Sequence, residues 1–126
     1  MNYGNKVLIV DDDEGMLNFI SDLIGNRFDV ITASDGQAAM QAISLSGPPD
    51  LLITDYHMTP VDGVHLILSL AHKRAPLKKV ILMSADLPGQ HILMELALRL
   101  GPETHFAAYP KDIAFYRELI GLQPVP

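Results

Sequence analysis

The chain has 126 residues, a formal net charge of −6 and no cysteine. That is the length of one ordinary domain with its own core; the missing thiols exclude disulfides and thiolate metal sites, and an acidic chain without a Lys/Arg-rich run is a poor binder of nucleic acid or of an anionic membrane. Met1-Asn2-Tyr3-Gly4 lacks the basic-then-apolar pattern of a signal peptide, and no apolar run approaches the roughly 20 residues that span a bilayer, so a soluble cytoplasmic protein is expected.

Val7-Leu8-Ile9-Val10 is continuous and β-branched-rich, as a strand buried on both faces should be, and Asp11-Asp12-Asp13 ends it. Leu17, Ile20, Leu23 and Ile24 then recur at helical spacing up to the stop signal Gly25-Asn26. Phe28 to Ala33 reads as a second strand. Ala38 to Leu45 reads as a helix, opened near Ser34-Asp35-Gly36 and closed by Gly47-Pro48-Pro49. Leu51-Leu52-Ile53-Thr54 is a third buried strand ending at Asp55, followed by a loop from Tyr56 to Gly63. Asp62 caps a helix running to about Lys73. Val80-Ile81-Leu82-Met83 ends at Ser84, and Leu87 to Leu100 is a helix with Pro88 in its first turn and Gly101-Pro102 past its end. Phe106-Ala107-Ala108 is a weak fifth strand, and Asp112 caps a last helix to about Leu122. Strands alternating with helices over short loops predict an α/β domain spanning residues 1–122, a doubly wound parallel sheet with right-handed crossovers, and a short tail over 123–126.

In such sheets the ligand site lies outside the carboxyl ends of the strands, where the strand order reverses. If the five strands take the flavodoxin-like order 2-1-3-4-5, strands 1 and 3 are neighbours there, and Asp11, Asp12 and Asp55 then face one another. Two carboxylates about 4 Å apart repel by about 4 kcal/mol at an effective dielectric near 20, so a cation belongs among them. His57, His65, His72, His91 and His105 are scattered without ligand spacing. Hard oxygen donors suit Mg²⁺. One strand-end aspartate is most simply a helix cap or a solvated loop residue. An acidic pair after strand 1, an aspartate after strand 3 and the Ser84 hydroxyl after strand 4 together point to a site.

The motifs Val7-Leu8-Ile9-Val10-Asp11-Asp12-Asp13, Pro49-Asp50-Leu51-Leu52-Ile53-Thr54-Asp55, Met58 with Asp62-Gly63, and Ser84-Ala85 follow one another in an order and spacing that resembles the receiver domains of two-component response regulators. The resemblance covers essentially the whole chain. It implies that Asp55 is the phosphoacceptor, that Asp11 and Asp12 hold Mg²⁺ together with Asp55 and the backbone carbonyl of His57, and that Ser84 hydrogen-bonds the phosphoryl group. It implies Phe106 as the aromatic switch residue of strand 5. The phosphoryl donor would be a phosphohistidine on a sensor histidine kinase or phosphotransfer protein, or a small acyl phosphate. The module would assist its own phosphorylation and have no separate catalytic activity.

The chain departs from that pattern in two places. Thr59 takes the usual proline slot of Met-Pro, and Pro60 follows it. On strand 5 the family carries Lys-Pro with the aromatic residue three before the lysine; here Phe106 stands three before Tyr109, and Pro110 follows, so Tyr109 occupies the lysine slot. Lys111 is the alternative lysine, at the cost of both matches. His57 and Asp86 border the site, where a role in the lifetime of the phosphoryl group stands beside a plain surface pair.

On the fourth helix Ile92, Leu93, Leu96 and Leu100 form one stripe, and Met94 and Leu98 point the opposite way beside His91, Glu95 and Arg99. Met94 and Leu98 mark a partner surface, for a downstream protein or a homodimer, on the face of helix 4, strand 5 and helix 5. Two further readings compete. A pseudo-receiver would keep the fold as an interaction domain and not switch by phosphate, with Tyr109 as its evidence. A Mg²⁺-dependent phosphohydrolase would need an acid/base and a substrate pocket, and neither an Asp-x-Asp nucleophile motif nor a phosphate-cradling glycine loop is present.

Overall fold

The computed structural model describes residues 5–58, 62–72, 77–84 and 89–110. Along the chain run β1 (Lys6–Val10), α1 (Glu14–Ile24), β2 (Asp29–Ala33), α2 (Gly36–Ser46), β3 (Leu51–Asp55), α3 (Gly63–His72), β4 (Lys79–Ser84), α4 (Gln90–Leu100) and β5 (His105–Pro110). The strands form a five-stranded sheet in the order β2-β1-β3-β4-β5, and every neighbouring pair is parallel.

The continuous apolar runs have a direct cause. Successive residues of a strand point to opposite faces, and both faces here are covered. Leu8, Val10, Leu52, Val80 and Leu82 meet Ala39 of α2, Leu66, Ile67 and Leu70 of α3 and Leu96 of α4 on one side. Val7, Ile9, Leu51, Ile53, Ile81 and Met83 meet Leu17, Ile20 and Ile24 of α1 on the other. β2 lies at the sheet edge, so Asp29 and Thr32 stay exposed and only Ala33 is buried.

Local chemistry fixes the helix ends. Asp13 caps α1 by accepting the Met16 N–H at 3.2 Å, and Asp35 caps α2 by accepting the Ala38 N–H at 2.7 Å. Gly47 and Gly101 follow α2 and α4 with φ of 83° and 86°, a region that side chains with a Cβ avoid, so each helix stops where a glycine is available. Lys6 Nζ donates to the Ser46 carbonyl at the end of α2.

Several boundaries differ from the sequence reading; α2, for one, runs Gly36–Ser46 and not Ala38 to Leu45. β2 starts at Asp29, since Phe28 N–H still donates to the Ile24 carbonyl and so belongs to the end of α1. α4 starts at Gln90, not Leu87: Gly89 has ψ of 158° and is the extended N-cap. β5 runs over six residues and pairs with β4 from Lys79↔His105 to Ser84↔Pro110, which lengthens the strand past Ala108. The expected last helix from Asp112 to Leu122, the tail 123–126, Thr59, Pro60, Asp86, Leu87, Pro88 and Lys111 lie outside the described residues.

Candidate functional site at the carboxyl edge of the sheet

β1 and β3 are direct neighbours, with Val10 opposite Thr54, so the next residues, Asp11 and Asp55, leave the sheet side by side. Asp11 and Asp55 are buried and Asp12 is exposed. One carboxylate oxygen from each of Asp11, Asp12 and Asp55 lies within 4.8 Å of the others, the juxtaposition expected from the sequence. All three donors are hard anionic oxygens, which repel one another unless a cation sits between them, and the set fits an oxygen-seeking divalent ion such as Mg²⁺.

Hydrogen bonds fix Asp11 and the peptides around Asp55. Asp11 N–H donates to the Ala33 carbonyl at 3.1 Å, tying the turn after β1 to β2, and Asp11 Oδ1 accepts the Asp13 N–H at 2.9 Å. The acidic triplet therefore divides its work: Asp11 and Asp12 belong to the cluster and Asp13 starts α1. Around Asp55, Thr54 Oγ1 donates to the Asp55 carbonyl at 3.1 Å, Tyr56 N–H donates to the Met83 carbonyl at 2.7 Å, and Gly63 N–H donates to the Tyr56 carbonyl at 3.0 Å. Gly63 presses against β3: a Cβ there would stand 2.2 Å from the Asp55 carbonyl oxygen.

The β3–α3 connection starts with an exposed His57, whose ring lies 4.5 Å from that of Tyr56, and a buried Met58 that joins the core beneath α3. Asp62 accepts the His65 N–H at 2.8 Å, and its Oδ1 lies 2.9 Å from His65 Nδ1. Asp62 is thus the cap of α3, as its position before an apolar helix predicts.

Ser84 is fully buried at the end of β4, one step past the residue level with Asp55. Phe106 is opposite Val80 and packs against the core that α3 and α4 cover. It stands three residues, about 10 Å, down β5 from the carboxylate edge, so it meets the core and not the cluster. Tyr109 is level with Met83, which is level with Asp55, and it is half exposed. Met94 and Leu98 are 63% and 75% exposed while Leu96 is buried, which bears out the helical phase read from the sequence. Among the described residues, no helix is long and apolar enough to cross a membrane.

Gly63, Thr54 and Asp13 carry roles that sequence reasoning missed. Gly63 is visible there as loop punctuation. Its contact with Asp55 is created only when the β3–α3 loop closes, and no local pattern announces it.

This fold, with acidic residues at this sheet edge, is that of a receiver-type signalling module. The chain belongs to the response regulator receiver domain family, whose model matches residues 7–102. It is 29% identical over 101 residues to the alkaline phosphatase synthesis transcriptional regulatory protein PhoP of Bacillus subtilis, covering 79% of this chain and 40% of that protein. It is 33% identical over 91 residues to the sensor histidine kinase TmoS of Ectopseudomonas mendocina, covering 72% of this chain and 9% of the kinase. The chain thus spans less than half the length of these relatives. Among solved structures, the receiver domain of the Francisella response regulator 1452 superposes with a TM-score of 0.73 at 26% identity, over 94% of this chain and 93% of that one. Vibrio cholerae CheY4 shares the fold at a TM-score of 0.71 and 17% identity, over 95% and 98% of the two chains.

Proposed function

We propose that the domain is switched by phosphorylation of Asp55, and that Asp11, Asp12, Asp55 and the backbone carbonyl of His57 hold Mg²⁺. The observation that carries this reading is the meeting of three carboxylates within 4.8 Å at the end of β1 and β3, one of them a buried strand-end aspartate. An Asp55 carboxylate oxygen attacks phosphorus; the bond from phosphorus to the donor's imidazole nitrogen or acyl oxygen breaks, and the donor leaves with that electron pair. The product is an acyl phosphate on Asp55. When bound, Mg²⁺ supplies the positive charge that offsets the carboxylates and the phosphoryl oxygens. Ser84, buried at the end of β4, donates its hydroxyl to the phosphoryl group. His57 is exposed just past Asp55, where it would tune how long the acyl phosphate lasts, and Asp86, two residues after Ser84 in the sequence, is read in the same role.

The donor is a sensor histidine kinase or phosphotransfer protein, and the domain, acting in the cytoplasm, has no further catalytic activity. Phe106, packed on the core under α4, is the switch residue that relays the change, and Met94 and Leu98 present the output surface to a downstream protein or a second copy. Met94→Lys combined with Leu98→Lys should leave the melting temperature within a few degrees of wild type, because both side chains face solvent. A loss of several kcal/mol would mean that they are core.

Acetyl phosphate with Mg²⁺ should raise the intact mass of the wild type by one phosphate. Asp12→Asn should weaken Mg²⁺ binding, read from tyrosine emission since Tyr56 adjoins Asp55 and the chain has no tryptophan; the loss should be tenfold or more, equivalent to about 1.4 kcal/mol or more. An unchanged affinity would remove the cluster as the metal site. The second reading, a pseudo-receiver that does not switch by phosphate, is favoured by one observation, the tyrosine level with Asp55 on β5. A wild type that binds Mg²⁺ but gains no mass would select it.

A further inference from the structure

β3 is aliphatic from Leu51 to Ile53 and then places a hydroxyl, Thr54, directly before Asp55. Thr54 is fully buried, and its cross-strand partners Val10 and Leu82 are both apolar. A valine would fill this place with no polar atom to satisfy; the threonine hydroxyl needs a partner, and it donates to the Asp55 carbonyl at 3.1 Å. The plainest account is a buried hydroxyl satisfied by a nearby backbone oxygen. The surroundings of that oxygen argue for more. The C=O and N–H of one trans peptide point opposite ways. Tyr56 N–H donates to the Met83 carbonyl on β4 at 2.7 Å, so the Asp55 carbonyl points toward the β1 side. The β1–β3 ladder ends at Val10↔Thr54, one step short of that carbonyl, and Thr54 Oγ1 donates where the ladder has stopped. Gly63 packs on the same oxygen from the start of α3, where a Cβ would stand 2.2 Å from it. The peptide joining Asp55 to Tyr56 is thus held at its N–H, at its C=O and by contact from α3.

We propose that Thr54 is a positioning residue for phosphoryl transfer: its hydroxyl fixes the peptide that follows Asp55 and so fixes where the Asp55 carboxylate starts from. This deepens, and rests on, the reading of Asp55 as phosphoacceptor. The strand ladder holds the peptide before Asp55, and the contacts above hold the one after it, which leaves the Cα–Cβ bond of Asp55 one direction. Phosphoryl transfer depends mainly on placing the attacking oxygen in line with the leaving group, and a displacement of about 1 Å can cost about a hundredfold. Thr54 touches neither phosphorus nor the donor. It acts through Asp55, so removing its hydroxyl lets the 55–56 peptide rock and slows loading while the ion is still bound.

The test is the rate at which the full chain gains phosphate mass from acetyl phosphate at saturating Mg²⁺, corrected for the folded fraction from urea unfolding. Thr54→Val keeps the branched shape and loses the hydroxyl, and it should load about tenfold more slowly than the wild type. Thr54→Ser keeps the hydroxyl and loses the methyl group, and it should load within about threefold of the wild type. A role in packing alone gives the opposite order, because the lost methyl leaves a cavity and valine does not. A wild-type rate in Thr54→Val, or a Thr54→Ser as slow as Thr54→Val, overturns this inference and leaves Asp55 standing. If Thr54→Val does not fold, Thr54→Ser against Thr54→Ala decides, since that pair differs by the hydroxyl alone: serine should load about tenfold faster, and equal rates overturn the inference. A wild type that gains no mass overturns the phosphoacceptor reading and this inference with it.

Discussion

Asp55→Asn is expected to take up no phosphate from acetyl phosphate at any Mg²⁺ concentration, while folding as well as or better than the wild type. The amide has the shape of the carboxylate, so a 5%-exposed side chain can be exchanged without opening a cavity. An amide oxygen is too weak a nucleophile to form the phosphorus–oxygen bond, so the mass should stay at that of the unmodified chain. The stability effect has a definite sign. Without metal, Asp55 shares a space of 4.8 Å with two other carboxylates, and removing its charge relieves repulsion. In EDTA the variant should melt higher by a few degrees, about 1 kcal/mol at this chain length. Mg²⁺ should stabilise the wild type more than the variant, because an ion that binds only the folded state adds stability in proportion to its affinity. Paired melting curves with and without Mg²⁺ measure this. A variant that melts below the wild type in EDTA would mean that the carboxylates are held apart or already neutralised, and one that still gains a phosphate would move the acceptor elsewhere.

Gly63→Ala should be the most damaging single methyl group in the described part of the domain. Its Cβ would come within 2.2 Å of the Asp55 carbonyl oxygen, 3.1 Å of the Asp55 carbonyl carbon and 3.0 Å of Leu82 Cδ1. The first two are backbone atoms of a central strand and cannot swing aside. Relief requires α3 to back away, which stretches the bond from Gly63 N–H to the Tyr56 carbonyl and lifts Leu66 and Ile67 off the sheet. Overpacking of this kind costs roughly 1–3 kcal/mol, and the backbone contact argues for the upper end. Urea unfolding should show a lower midpoint, with the slope retained. The folded fraction should also phosphorylate more slowly, since the displaced peptide is that of the acceptor itself. Stability within about 0.5 kcal/mol of wild type would show that the loop has room which the structure denies it.

How far the sequence is legible follows from whether a feature is local. Val7–Val10, Leu51–Thr54 and Val80–Met83 are strands buried on both faces, and that burial is what makes their runs unbroken, so the sheet and the polar residues at its ends can be read directly. Asp11, Asp12 and Asp55 then converge because β1 and β3 are neighbours. Leu87 and Pro88 look like the first turn of a helix, but Gly89 takes an extended conformation and α4 begins after it, a choice between two acceptable starts that periodicity does not resolve. The length of β5 is hidden because Ala107 and Ala108 give little alternation, and its neighbour β4 supplies the register. That Tyr109 is the β5 residue level with Asp55 is hidden for the same reason, since only its pairing through Met83 shows it.

The hydrogen bonds around Asp11 bear on the cost of holding an ion. A flexible carboxylate must be stilled before it can grip an ion, and stilling an interfacial side chain costs on the order of 0.5–1.5 kcal/mol. Asp11 has already been stilled, by the Asp13 amide on its side chain and by the Ala33 carbonyl on its own amide. Asp12 is exposed and lies outside the sheet. For an ion bound among these carboxylates, Asp11 would be the member already fixed, and the exposed Asp12 the one whose ordering on binding has a cost.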